Sequence, residues 1–170
     1  LEGNRFVRGE EVWLPLYESK FFWLFDHRFG SYRGIETRTN TILPTPNISE
    51  YSDFDYIIEP YYWINKKEVE KASKLYNKNY WIGYRRISNV TNERTFISSI
   101  LPASGFGDNI FLLLTNTDGL LDLAFNGTLN SIFFDFLTRQ KMGGTNLNFY
   151  ITKQLPVLPP STYTPALTDF

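Results

Sequence analysis

Arg139-Gln140-Lys141-Met142-Gly143-Gly144-Thr145-Asn146 is the stretch whose residue types and spacing point most directly to chemistry. Two cations lead into a double glycine, followed by a hydroxyl and a side-chain amide. A turn of this kind exposes backbone N–H groups, amides and cations together, a donor set that suits a phosphate backbone better than a small organic substrate. The expectation is that Arg139 and Lys141 lie in solvent and that Gly143 or Gly144 adopts a conformation open mainly to glycine. The rival is a plain helix C-cap, because glycine commonly follows a last helical turn. Two more arginine positions stand at predicted strand ends: Arg85-Arg86, and Arg94 within Asn92-Glu93-Arg94-Thr95. A guanidinium fork matches two acceptors on a phosphate or a guanine edge. Glu93 and Asp26 are equally able to hold these arginines in structural ion pairs, and the sequence leaves the two readings level.

Other chemistries find no constellation. Gly105-Phe106-Gly107 has no third glycine at dinucleotide-loop spacing and no following Lys-Ser/Thr pair, so it reads as a turn. His27 is the one histidine, and with no cysteine in the chain it cannot build a typical zinc site. Its neighbours Asp26 and Arg28 make acid–base work conceivable, but a structural role is preferred. The absence of a G-x-S-x-G motif and of a second histidine argues against a hydrolase triad. Glu10-Glu11 and Asp53/Asp55 read as solvated loop charges, and the lysines from Lys66 to Lys78 as a solvated helix face mixed with Glu68 and Glu70.

The elements that must position these residues alternate irregularly. Val12 to Tyr17 reads as a strand, with a turn near Ser19 and then a dense aromatic run to Phe29 that is either a strand or a short helix. Gly30 to Pro60 is polar and turn-rich, a long loop of the kind that usually carries function. Tyr61 to Ile64 is strand-like, and Lys66 to Tyr76 is an amphipathic helix with Asn65 as its N-cap. Trp81–Ile87, Thr95–Leu101 and Ile110–Thr115 read as strands. Leu120 to Gln140 reads as one long helix burying Leu121, Phe125, Leu129, Ile132, Phe133, Phe136 and Leu137, with Gly127 a point where it would kink or split. The fold class is α+β, a mixed sheet with one long helix.

At 170 residues and net charge −1, the chain has the length of one domain and lacks the basic excess of a stand-alone nucleic-acid binder. It remains compatible with one domain of a larger clamp, whose other parts supply phosphate attraction. Aromatics make up 18%, which reads mainly as core. No apolar run reaches membrane length, so no membrane partner is expected. The start at Leu1-Glu2-Gly3 reads as an excised piece of something longer, and Pro156 to Phe170 as an extended proline-rich tail or linker after a domain over 1–155.

Three blocks carry a family resemblance. Leu14-Pro15-Leu16-Tyr17-Glu18-Ser19-Lys20 with Phe25-Asp26-His27-Arg28-Phe29 resembles a "PLYEGK…FDHRF" segment, Ser19 standing where glycine is common. Tyr84 to Ile87, Asn92 to Thr95 and Ile100 to Pro102 resemble an "R-I…T-N-E-R-T…LP" segment. The run from Asn130 to Pro160 resembles an ending with "RQK-GGTNLN", "KQLP" and a proline pair. Together they are similar to the target-recognition region of bacterial N-6 adenine-specific DNA methylases of restriction–modification and phage-defence systems. Gly30 to Pro60 matches nothing, as expected of the part that reads different DNA sequences. The resemblance implies a TaqI-like C-terminal specificity domain, related in fold to Type I specificity-subunit recognition domains. Its implied partners are double-stranded DNA and the methyltransferase domain of the same polypeptide, in the cytoplasm, with or without a fused endonuclease. The N-P-P-[YF] tetrapeptide and the F-x-G-x-G cofactor loop are both missing from this sequence. The fragment is therefore expected to be no enzyme and to hold no cofactor; S-adenosylmethionine belongs to the parent, which would flip an adenine into its catalytic part. Candidate DNA contacts are Lys20, Arg28, Arg85, Arg94, Arg139, Lys141, Gly143, Gly144, Thr145 and Asn146. The alternative is a non-catalytic interaction or scaffold domain that packs on the methylase and touches little DNA.

Overall fold

In the computed structural model the described residues are 5–38 and 42–163. Within them the chain is mixed α+β, with two sheets and five α-helices. Strands β1 (Phe6–Arg8) and β2 (Glu11–Tyr17) form a hairpin across Gly9-Glu10. Gly9 has φ +62°, the left-handed value that a two-residue hairpin turn requires. β2 also pairs antiparallel with β3 (Trp63–Asn65) and parallel with β6 (Gly105–Phe106), which makes this sheet mixed. The second sheet is antiparallel, with β4 (Tyr80–Arg85) between β5 (Ser98–Pro102) and β7 (Ile110–Leu113).

Strand β4 divides the interior. Trp81 enters a core built with Tyr17, Phe21, Phe22, Tyr32 and Leu101, whereas Ile82 and Tyr84 enter a second core with Phe96, Leu129, Phe134 and Leu147. The period-2 alternation of side chains sends odd and even residues of this strand to opposite faces. Both faces are covered, so the strand reads as a continuous apolar run rather than an alternating one.

Helix α2 (Lys66–Ala72) begins where the sequence placed it: the Asn65 side chain accepts a hydrogen bond from the Lys67 amide, and Val69 is buried. Among its described residues the Gly30–Pro60 segment contains only the short α1 (Ile48–Ser52), closed by an Asn47/Glu50 capping box. The aromatic run from Phe21 to Phe29 is neither strand nor α-helix; Phe21 and Phe22 are wholly buried, and Trp23 and Asp26 bridge across a tight turn. The turn read at Gly105-Phe106-Gly107 contains β6, and α5 (Phe149–Thr152) had no signal distinct from its loop surroundings.

The expected long helix is two helices. α3 (Gly119–Leu129) ends at Asn130, and Ser131 caps α4 (Ile132–Lys141) by accepting from the Phe134 amide. The break lies at Asn130-Ser131, not at Gly127, because both side chains do better outside a helix. The Asn130 side chain accepts from the Ser98 amide (3.1 Å) and donates to the Ser98 carbonyl (2.9 Å), completing the outer edge of β5 as a neighbouring strand would. Burial follows the expected face only in part: Leu129 is buried and Phe125 and Leu137 pack against the core, but the rest of that face is not buried. Asp122, Asn126, Phe134, Asp135 and Thr138 face inward, while Ile132, Phe133 and Phe136 are 80%, 69% and 55% exposed. Of the proline-rich tail only 156–163 is described; the Tyr163 hydroxyl meets Thr128 of α3, and residues 164–170 lie outside the described part.

Candidate nucleic-acid interface

The ten candidate contacts fall in three places. The first is a belt between α4 and the turn over 89–95. The Asp135 carboxylate accepts from the backbone amides of Thr95 (2.7 Å) and Phe96 (2.8 Å) and from Arg139 Nε (2.8 Å), with Arg94 Nε at 3.6 Å. Burial alone would raise its pKa. The amide of Phe96, the Arg139 guanidinium and the amide of Thr95 outweigh that and hold the carboxyl below its usual value. Arg139 also donates to the carbonyls of Val90 (2.6 Å), Asn92 (2.8 Å) and Glu93 (2.7 Å). Arg94 donates to the Asn130 carbonyl at 2.5 Å. Arg139 was expected in solvent; it is half-buried, its fork turned onto the carbonyls of an irregular turn that has no ladder of its own to satisfy them.

The second place is a groove of about 440 Å³ that brings Lys20, Arg38, Arg85 and Ile87 together with Glu18 and Asp108. Parity explains Arg85. It shares the face of Trp81 and Gly83, so its guanidinium turns inward, donates to the Phe22 carbonyl from both Nε (3.1 Å) and Nη2, and lies 4.8 Å over the Trp23 ring. Burial pushes its pKa down to about 10, still charged at neutral pH. Arg38 was not among the sequence candidates; it pairs with Glu18 (3.1 Å) over the Tyr62 ring and is half-exposed. Its only signal was a cation in the unmatched loop. Arg86 reaches Asp108 (3.2 Å) on the surface.

The glycine loop is stitched beside this groove. The Ser88 amide donates to the Thr145 carbonyl (3.0 Å), the Leu147 amide to the Arg86 carbonyl (2.7 Å), and Ile87 bridges Asn146. Gly143, Gly144, Thr145 and Lys141 are exposed, and Asn146 is half-buried. Neither glycine lies in the left-handed region, contrary to expectation: the C-cap of α4 is Met142, with φ −87° and ψ 111°. The helix therefore ends without a glycine cap, and a Cβ built on Gly143 or Gly144 meets nothing within 4 Å. Neither backbone strain nor crowding inside the protein explains two glycines here.

Arg28 occupies the third place, away from both. It donates to the carbonyls of Asp53 (3.0 Å) and Tyr51 (3.3 Å) and so ties the unmatched loop to the tight turn at Trp23–Asp26. Within that turn Phe25, exposed, has φ 61°, a left-handed value unfavourable for a side chain of its bulk. Nothing in the sequence marked it. Its neighbour His27 is held toward the neutral form by burial and by Arg28, against the pull of Asp26.

Other chemistries gain nothing from the folded arrangement. No group of three or more His, Asp or Glu side chains able to hold a metal occurs among the described residues. Gly105 packs against Ile64, where an added Cβ would come within 2.6 Å, so its glycine serves close strand packing rather than a nucleotide loop. No helix among the described residues is long and apolar enough to cross a membrane. No protein-family model, curated protein or solved structure matches this chain.

Proposed function

We propose that this chain is a DNA target-recognition domain of the adenine-methylase type, holding a duplex for a catalytic domain outside it. The observation that carries the reading is the Gly143-Gly144 loop: two exposed glycines with no internal reason to be glycine, next to exposed Lys141 and Thr145. Glycine lets a ligand's surface approach the backbone closely, and a phosphate backbone is the ligand that matches the donors present. Support also comes from the way the three resembling blocks join. Arg85 binds the Phe22 carbonyl, Ser88 pairs with Thr145, and Asp135 holds Thr95 and Phe96, so all three belong to one packed unit, into which Gly30–Pro60 is packed through Tyr32, Leu43, Tyr56 and Ile58. A common scaffold that carries a variable segment is what a family of specificity domains, Type I subunits included, requires. On this reading Lys141 and the glycine loop position phosphates, while Lys20 and Arg38 face the groove. Arg85, Arg94, Arg139 and Arg28 act chiefly by shaping that surface.

The test is fluorescence anisotropy with a labelled duplex of about 20 base pairs. The double variant Gly143→Ala/Gly144→Ala should fold as well as the parent chain, since glycine-to-alanine changes at unstrained sites typically stabilise by about 0.4–1 kcal/mol. Its DNA affinity should fall at least tenfold on every sequence tried. Unchanged affinity would remove the loop from the interface and with it the principal support for the reading.

A second reading is favoured by a separate observation. The outward face of α4 presents Ile132, Phe133 and Phe136 together at helical spacing. A contiguous apolar face of this kind marks a protein contact. An interaction domain that packs on a methylase through α4 with little DNA contact would show no duplex binding at any salt concentration.

A further inference from the structure

The groove beside the glycine loop is lined by a guanidinium that the protein uses only in part. Arg85 turns Nε and Nη2 onto the Phe22 carbonyl. Its third nitrogen, Nη1, donates to no atom of the described residues. Unlike Nε of Arg86 and Nε of Arg94, this unpartnered nitrogen keeps accessible surface. Arg85 makes no ion pair with a described residue, and burial by itself lowers its pKa, so no carboxylate compensates its charge. A charge held partly out of water without a counter-charge is costly, and a ligand that supplies one is favoured.

The rest of the groove sets the chemistry of that ligand. Ser19 and Asn109 line it with a hydroxyl and an amide that make no side-chain hydrogen bond to a described residue. Lys20 and Arg38 add two further cations. Two carboxylates also line it, and an arginine engages each: Arg38 holds Glu18 (3.1 Å) and Arg86 holds Asp108 (3.2 Å). Among the described residues here, Lys20, Arg38, Arg85 and Arg86 outnumber the carboxylates by two charges. A phosphate monoester carries about −1.5 to −2 at neutral pH and offers three acceptor oxygens. A carboxylate or an internal phosphodiester carries one charge and offers two free oxygens. The volume of about 440 Å³ lies in the range of small-molecule sites, and Leu16, Tyr62 and Ile87 give apolar wall for an organic part.

We propose that this groove seats a terminal phosphate, that of a free phosphomonoester of mononucleotide size or of a DNA 5′ end, with Arg85 Nη1, Lys20, Ser19 and Asn109 as its donors. The proposal concerns the groove alone and goes beyond the duplex reading, which places internal phosphates on the glycine loop.

Isothermal titration calorimetry of the full chain with thymidine 5′-monophosphate and with thymidine tests it. The monophosphate should bind saturably and at least about tenfold tighter than thymidine, the usual effect of a hydrogen bond to a charged group. Arg85→Gln should weaken it at least about tenfold, and Lys20→Ala should weaken it too. Lys71→Ala, exposed on α2 and outside the groove, should leave it unchanged. Competition with one duplex bearing 5′-phosphates or 5′-hydroxyls distinguishes the two sources. Displacement by the phosphorylated duplex alone assigns the site to a DNA end, and displacement by neither assigns it to a free nucleotide; either result supports the proposal. Equal displacement by both would overturn it in favour of internal backbone phosphates and leave the duplex reading standing. Equal binding of thymidine and its monophosphate, no binding of either, or an equal loss in Lys71→Ala would overturn it as well, whatever the duplex does at the glycine loop. Should Arg85→Gln fail to fold, Lys20→Ala and the pair of probes decide on chains that keep Arg85.

Discussion

The belt around Asp135 and the seam beside the glycine loop are both rich in cations and amides, yet they use them in opposite ways. In the belt, Arg139 and Arg94 turn their donors onto Val90, Asn92, Glu93 and Asn130 carbonyls and onto one buried carboxylate. In the seam, hydrogen bonds run between backbone groups, and the exposed Lys141, Gly143, Gly144 and Thr145 are left facing outward. The difference teaches that an arginine's availability to a ligand depends on the carbonyls around it. An irregular turn without a ladder needs donors and takes them from the nearest guanidinium, whereas a bridged segment satisfies itself and leaves its neighbours free.

Asp135→Ala would break the belt most severely. It strips acceptors from two buried amides and two arginines, so we expect a loss of about 3–5 kcal/mol, the usual effect of removing one partner of a buried charged network. Urea denaturation measures this; a loss under about 1 kcal/mol would make the belt a surface decoration, as exposed pairs usually are. Arg139→Ala comes next, at about 2 kcal/mol from three carbonyls left without a strong donor. Arg139→Lys should recover little, because a lysine cannot reproduce the planar fork. If Arg139→Ala instead keeps full stability but lowers duplex affinity, the belt and the seam are one interface and the contrast fails.

Acid should separate the two regions without any substitution. Asp135 and Asp122 are both held below the usual carboxylate value. For Asp122, burial pushes upward and is outweighed by hydrogen bonds from Lys78, Thr117 and Tyr80. A carboxyl depressed in the folded state contributes stability that is present above its unfolded value of about 4 and is lost as pH falls through the folded value. The melting temperature should therefore drop steeply below about pH 4. A shallower decline should begin below about pH 6.5, where unfolded chains protonate a histidine that the folded chain keeps neutral. Asp135→Asn should flatten the first fall, and His27→Gln the second, in a melting series from pH 3 to 8.

Smaller effects sharpen the seam. Lys141→Ala should change stability by less than about 0.5 kcal/mol, as surface substitutions do. It should reduce the salt dependence of duplex binding by about one phosphate contact, uniformly across sequences. Phe25→Gly should raise stability by up to about 1 kcal/mol by relieving a left-handed backbone, in calorimetry at neutral pH. A fall in stability there would mean that the exposed ring is held by contacts stronger than its strain.

Much of the scaffold was legible because local rules and tertiary packing agreed. β2, β4, β5 and β7 follow apolar runs bounded by turns, and Asn65 caps α2 as its side chain permits. The parity of β4 was also readable: Arg85 stands two residues from Gly83 and four from Trp81, so a strand buried on both faces had to turn it inward. The helical region misled in part: apolar spacing marked burial for Leu129, Phe125 and Leu137 but not for Ile132, Phe133 and Phe136. Asp122, Asn126, Asn130 and Asp135 recur at helical spacing on another face: Asn126 and Asn130 meet Ser98 of β5, Asp135 meets Thr95 and Phe96 just ahead of it, and Asp122 meets Lys78 and Tyr80.

By itself, then, the sequence determined an α+β chain, its central strands, the α2 cap and the donor-rich loop at Lys141 to Asn146, because these depend on propensities and periods a few residues long. Tertiary structure alone decided which cations are left for a ligand. Whether Arg139 or Lys141 stays open to solvent depends on the unladdered carbonyls of residues 90–93, nearly fifty positions earlier in the chain. It also decided that α3 and α4 present polar side chains to the sheet. The exposed amides of an edge strand need partners more than the helices' apolar stripe needs cover, and no local pattern records that demand.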